Sequence, residues 1–97
     1  MKTLNNQTAL VTGGSRGIGR AIALAMAEEG ANVAILYAGN ETAAAQTVQE
    51  AEAFGVKALS YRCDVSSEQA VKETVDEVLK DFGRVDILVN NAGIVRD

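Results

Sequence analysis

At 97 residues with a formal net charge of −4, the chain has the length of one small domain and lacks the basic face that a nucleic-acid surface requires. Hydrophobic residues make up 47% but aromatics only 4%, so a core here is built from Ala, Val, Ile and Leu, the usual filling of a parallel sheet covered by helices on both faces. No apolar stretch approaches membrane-spanning length, no leader-type segment opens the chain, and one cysteine with no histidine offers neither a disulfide nor a metal framework, so the expected setting is the cytoplasm, without membrane or metal.

Residues 1–7 are polar and lead into a first strand over Thr8–Val11. The segment Arg20–Glu29 follows as a helix, with Ile18, Ile22, Ala25 and Met26 at the spacing of a buried stripe and Gly30 as its stop. Val33–Tyr37 reads as the second strand, with Ala38-Gly39-Asn40 as its exit turn. A second helix spans Glu41–Phe54, with Ala44, Val48 and Ala51 inward and Gly55 as its stop. Val56–Tyr61 alternates as a weaker third strand. Ser66 and Gln69 form a capping box for a third helix, whose apolar face is Val71, Val75, Val78, Leu79 and Phe82 and which Gly83 closes. A fourth strand, Val85–Val89, ends in Asn90-Asn91-Ala92-Gly93. The order β-α-β-α-β-α-β implies a parallel α/β sheet with right-handed crossovers, whose ligands gather at the carboxyl ends of the strands. The turns after all four strands fall on that edge.

Between the first strand and first helix lies Thr12-Gly13-Gly14-Ser15-Arg16-Gly17-Ile18-Gly19. A helix start carries unpaired N–H groups and the positive end of the helix dipole, and glycines let a phosphate approach without meeting a Cβ. The P-loop pattern fails, because Arg20-Ala21 stands where Lys-Ser/Thr is needed. Gly13-x-Ser15-x-Gly17 matches a nucleophile elbow, but that chemistry needs a histidine base and the chain has His 0. The spacing Gly13-x-x-x-Gly17-x-Gly19 is a variant of the dinucleotide fingerprint. A glycine-rich turn without a ligand is the remaining alternative.

With Thr12–Gly19 and Asn90-Asn91-Ala92-Gly93 both in place, and an Asp64 turn between them, the chain resembles the short-chain dehydrogenase/reductases over its whole length. The segments Tyr37–Glu41 and Asn91–Asp97 look most like the bacterial 3-oxoacyl-[acyl-carrier-protein] reductases within that family. The resemblance implies a Rossmann-type doubly wound sheet and a nicotinamide dinucleotide. Gly13, Gly14, Ser15, Arg16, Gly17 and Gly19 would form the phosphate loop, with Ile18 beside the pyrophosphate and nicotinamide. Asp64 and Val65 would border the adenine, and Asn91, Ala92 and Gly93 the ribose and the path to the nicotinamide, with Asn90 structural. Plainer roles stay open: Asp64 as a turn former, Asn90 and Asn91 as strand-end hydrogen bonders, Ile18 as core. The resemblance also implies an acyl thioester substrate on acyl carrier protein, with Arg96 a candidate contact for that acidic carrier, and a homotetramer.

NAD-preferring sites place an Asp or Glu after the second strand to hold the ribose 2′-hydroxyl. Here the exit is Tyr37-Ala38-Gly39-Asn40, with no acid before Glu41, and Arg16 offers a planar, permanently charged donor set suited to phosphate. These features favour NADPH, with Arg16 as a solvated surface charge the alternative. The family's proton donor is a Tyr with a Lys four residues later, aided by a Ser. The chain's two tyrosines, Tyr37 and Tyr61, have Glu41 and Val65 at that position. The expectation is therefore residues 1–97 as the N-terminal, cofactor-binding part of one Rossmann domain, truncated after strand four, catalytically inert alone. A shortened nucleotide-binding module, or a reductase of ketones, sugars or steroids, is the alternative.

Overall fold

In the computed structural model, which describes residues 2–91, a strand over Thr8–Thr12 (β1) is buried at all five positions. It is buried because it has neighbours everywhere. Parallel strands flank it, Asn32–Tyr37 (β2) on one side and Ile87–Asn90 (β4) on the other, and Ala58–Arg62 (β3) lies outside β2. The sheet order is β3-β2-β1-β4, so the strand order reverses at β1. The register sets Thr12 beside both Leu36 and Asn90, which brings three strand ends to one level.

Alternating side chains divide the interior into two cores. Ala9, Val11, Val33, Ile35 and Ala58 face the helices Gly17–Glu28 (α1) and Glu41–Glu52 (α2), which contribute Ala23, Ala27 and Ala51. Leu10, Ala34 and Leu36 face the opposite way, onto Val78 of the helix Glu68–Phe82 (α3), with Val71, Val75 and Phe82 packed around them. This is the doubly wound Rossmann-type arrangement expected from the sequence. Gly30, Gly55 and Gly83, expected to stop the helices, all have positive φ.

Three local expectations are corrected. The buried stripe of α1 is Gly19, Ala23 and Ala27, about one residue round from the predicted face, while Ile18 is 56% exposed and Ala25 faces solvent. Small residues win because they let the helix lie close on the sheet, where larger side chains would hold it off. The cap of α3 is Ser67, whose side chain accepts from Ala70 N–H, not Ser66. Ser66 is taken by Asp64, to which it donates from both its N–H and its hydroxyl, and Gln69 bonds Glu73 instead of closing a capping box. Leu79, placed on the inward face of α3, is 44% exposed.

Asp86 pins the start of β4 to the start of β1. Its carboxylate accepts from Thr8 N–H at 2.8 Å and from the Arg84 guanidinium at 2.7 Å, and its own N–H donates to Thr8 O. The Arg84 hydrogen bonds, then the Thr8 N–H, hold the Asp86 carboxyl below its ordinary 3.8. A carboxyl depressed in the folded state contributes stability that is whole above the unfolded pKa and is lost as pH falls through the folded one. The group is exposed, so the effect is small and screened by salt. Between about pH 5 and pH 3 the urea midpoint of Asp86→Asn is therefore expected to fall less than that of the parent. Equal falls in the two proteins would show that this carboxylate does not couple to folding.

Candidate functional site

At its carboxyl end β1 turns directly into α1. Two residues in the turn, Gly13 (φ 69°) and Gly17 (φ 63°), hold left-handed conformations that L side chains rarely adopt. The turn is tied to β2 by hydrogen bonds from Gly13 and Gly14 N–H to Leu36 O, at 2.8 and 3.4 Å. Arg16 is the N-cap of α1 in extended conformation, and its side chain makes no capping hydrogen bond to the helix. The first-turn amides thus have no helical acceptor and receive no cap from the N-cap side chain, which is the arrangement that receives an anion.

The glycines divide by task. A Cβ on Gly14 would sit 2.6 Å from Ile35 Cγ2, so its bareness lets the loop lie on β2. A Cβ on Gly19 would run into the Gly13 carbonyl and come within 2.8 Å of Asn91 Nδ2, so its bareness lets α1 close on the end of β1. Gly14 and Gly19 build the site from behind. Gly13, Ser15, Arg16, Gly17 and Ile18 face a cleft of about 320 Å³, a size within the range of small-molecule sites.

The other walls come from the remaining strand ends. The exit of β2, Leu36 to Asn40, forms one side; Cys63 and Val65 after β3 form another; Asn91 after β4 closes it. Asn91 is buried, and its N–H donates to Thr12 Oγ1 at 2.9 Å, while that hydroxyl lies 3.2 Å from Asn90 Oδ1. Thr12 thereby locks the Asn90-Asn91 turn to the glycine loop. From the far side, Thr47 of α2 places its hydroxyl 3.2 Å from Ser15 O, and Arg20 of α1 pairs with Glu50 of α2.

Asp64, expected at the adenine, is not part of the cleft wall. It holds the turn into α3 through Ser66, whose hydroxyl and N–H keep the carboxyl below its ordinary range. Val65 alone of that pair faces the cleft. Ala92, Gly93 and Arg96 lie outside the described residues. Sequence reasoning did not single out Leu36 and Thr47, and it took Thr12 only as the start of the loop; their importance rests on register and long-range hydrogen bonds. It weighed the β2 exit for the resemblance and for cofactor choice, and Cys63, the single cysteine, is buried.

Neither tyrosine is set up as a proton donor to a substrate. The Tyr61 hydroxyl donates to Asp81 at 2.7 Å, and burial, then that carboxylate, push the phenol well above its ordinary value. That is the opposite of the lowered pKa a catalytic tyrosine needs. Tyr37 belongs to the buried end of β2.

Comparison with known proteins agrees with this geometry. The model of the short chain dehydrogenase family matches residues 7–97. A 3-oxoacyl-[acyl-carrier-protein] reductase of Staphylococcus epidermidis is 53% identical over 92 residues, covering 95% of this chain and 38% of the relative. A short chain dehydrogenase from Burkholderia cenocepacia, solved in complex with NADP, superimposes with a TM-score of 0.91 at 49% identity, over 96% of this chain and 38% of that one. An NAD+-bound xylitol dehydrogenase superimposes with a TM-score of 0.85 at 46% identity, over 90% of this chain and 33% of that one. The chain thus spans less than two fifths of the length of the relatives it matches. Sequence, fold and the construction of the glycine turn lead to one conclusion: the chain belongs to the short chain dehydrogenase family.

Proposed function

We propose that the chain is the cofactor-binding part of an NADPH-dependent oxidoreductase that reduces 3-oxoacyl thioesters on an acyl carrier protein to 3-hydroxyacyl thioesters, in fatty acid synthesis. The observation that carries the cofactor choice is the β2 exit. Ala38, Gly39 and Asn40 line the cleft there without a carboxylate, Glu41 is taken into α2, and Arg16 stands on the glycine-loop wall of the same cleft. That wall leaves room for a 2′-phosphate and supplies a cation to it.

The residues present fit a dinucleotide. Gly13, Ser15, Gly17 and the first turn of α1 would hold the diphosphate, and Val65 with the β2 exit the adenosine end. Ile18 and Asn91, with Ala92 and Gly93, would flank the path to the reacting ring. Asp64 acts in this reading by shaping the turn that presents Val65. The nicotinamide supplies hydride when bound. What this chain contributes is the grip, the orientation and an apolar floor of buried Leu36 and Cys63, with exposed Val65 at its edge. The Ser and Tyr-x-x-x-Lys that protonate the carbonyl oxygen are assigned to the length that the relatives carry beyond the match. The acyl substrate is supported by identity to the Staphylococcus epidermidis enzyme, and a polyol or sugar substrate by the likeness to xylitol dehydrogenase. The carrier protein as partner, a homotetramer and a cytoplasmic setting belong to the same reading.

The test is NADPH consumption by the full-length protein with a 3-oxoacyl thioester, set against sugars and simple ketones. Turnover of the thioester well above the others is expected, with NADPH preferred to NADH. The 97-residue chain alone is expected to bind NADPH and consume none. Turnover of sugars only would move the protein to another branch of the family, and failure to bind either dinucleotide would end the reading.

A further inference from the structure

Thr47 occupies an unusual place for a helical threonine. It is fully buried in the middle of α2, and its hydroxyl lies 3.0 Å from Ala43 O one turn back. That back-bond is what a buried helical threonine makes when it has nothing else to do. Thr74 in α3 does the same with Ala70 O at 2.8 Å, and its hydroxyl has no second acceptor among the described residues. Thr47 differs because its one hydroxyl proton is shared between Ala43 O and a second carbonyl, Ser15 O at 3.2 Å, 32 residues away in the glycine turn.

We propose that Thr47 is a positioning residue for the phosphate loop, holding the Ser15–Arg16 peptide unit in the orientation that receives the dinucleotide. The Ser15–Arg16 unit is trans and planar, so a Ser15 carbonyl held toward α2 holds the Arg16 N–H pointing away from α2. One hydrogen bond therefore sets the direction of a whole peptide dipole at the mouth of α1. The Arg20–Glu50 pair fastens the same two helices together next to it, so α2 acts as a strut behind the loop. Thr47 is outside the cleft wall, so its effect passes through Ser15. The inference rests on the dinucleotide reading above.

The experiment is calorimetric titration of NADPH into the full-length protein and its Thr47→Val, Thr47→Ser and Thr74→Val variants, with a melting curve for each without ligand. Valine keeps the shape of threonine and removes the hydroxyl, and Thr74→Val reproduces the loss of a helical back-bond at a place remote from the loop. The expected result is a Kd for NADPH about three- to tenfold higher for Thr47→Val, the worth of one hydrogen bond. Thr47→Ser and Thr74→Val are expected to stay within about twofold of the parent, whatever their melting temperatures do. A parent that binds NADPH and a Thr47→Val variant that binds it equally well would overturn the inference while leaving the dinucleotide reading standing. Equal losses in Thr47→Val and Thr74→Val would overturn it too, since the cause would then be general loosening. A parent that does not bind NADPH would remove the reading itself.

Discussion

Gly19→Ala is expected to abolish dinucleotide binding at ordinary ligand concentrations and to lower the melting temperature of the protein. The added methyl would meet the Gly13 backbone on one side, with the carbonyl carbon at 2.7 Å, and Asn91 Nδ2 at 2.8 Å on the other. Backbone cannot step aside as a flexible side chain can, so α1 must lift from the end of β1 or the Gly13 turn must open. The first path strips the Gly19, Ala23 and Ala27 stripe from the sheet, and overpacking of this kind costs about 1–3 kcal/mol. The second displaces the amides that face the cleft. Two charge-assisted hydrogen bonds lost from those amides, at about 1.5 kcal/mol each or more, raise the expected NADPH Kd by about 100-fold. Gly17→Ala is the informative contrast. Its Cβ would meet nothing within 4 Å, so only the cost of a left-handed residue remains, about 1–2 kcal/mol. Binding by Gly19→Ala within a few-fold of Gly17→Ala would show that the close approach at the end of β1 is not what shapes the loop.

The same glycine shows where sequence reading succeeds and where it fails. The strand–loop–helix context of Thr12–Gly19 was legible because it depends on neighbours in the chain. So was the order of elements, since helical and strand periodicities differ. The face of α1 was misplaced by about one residue because hydrophobicity favours Ile18 and Ile22 as core, although Met26, expected inward, does pack against the core. The helix instead buries its smallest side chains, since closeness to the sheet gains more than the bulk of an isoleucine. Ile18 is thereby left exposed on the cleft wall. The α3 cap was read one residue early because two serines stand together, and only the Asp64 carboxylate, which engages Ser66, decides between them. Thr47 and Leu36 carry no local signal, and Thr12 signals only the start of the loop. Their roles exist only after the register has set Thr12 beside Asn90 and packing has set α2 behind Ser15.

Cofactor preference is expected to reverse in Ala38→Asp. Similarity to relatives does not decide that preference, since a chain solved with NADP and one solved with NAD+ both superimpose closely on this one. The choice is left to the few side chains at the adenosine end. Ala38 is exposed on the cleft wall at the β2 exit, and Asn40 beside it spends its side-chain oxygen on Ala43 N–H as the cap of α2. A carboxylate at position 38 would stand against a 2′-phosphate. Two like charges about 4 Å apart repel by about 4 kcal/mol at the effective dielectric of a protein surface, less once salt screens them. Even half of that raises the NADPH Kd about 30-fold. The same carboxylate can accept from a ribose 2′-hydroxyl, so NADH binding should hold or improve. Arg16→Ala removes attraction instead of adding repulsion. It should weaken NADPH about tenfold, the worth of a charge-assisted hydrogen bond, and leave NADH within about twofold. Because one change adds a clash and the other deletes a contact, the double variant should discriminate more strongly than either alone. Titration of both cofactors into the parent and the three variants checks this. Equal weakening of NADPH and NADH by Arg16→Ala would place the guanidinium on the shared diphosphate, and the preference for NADPH would then have to rest on the open β2 exit alone.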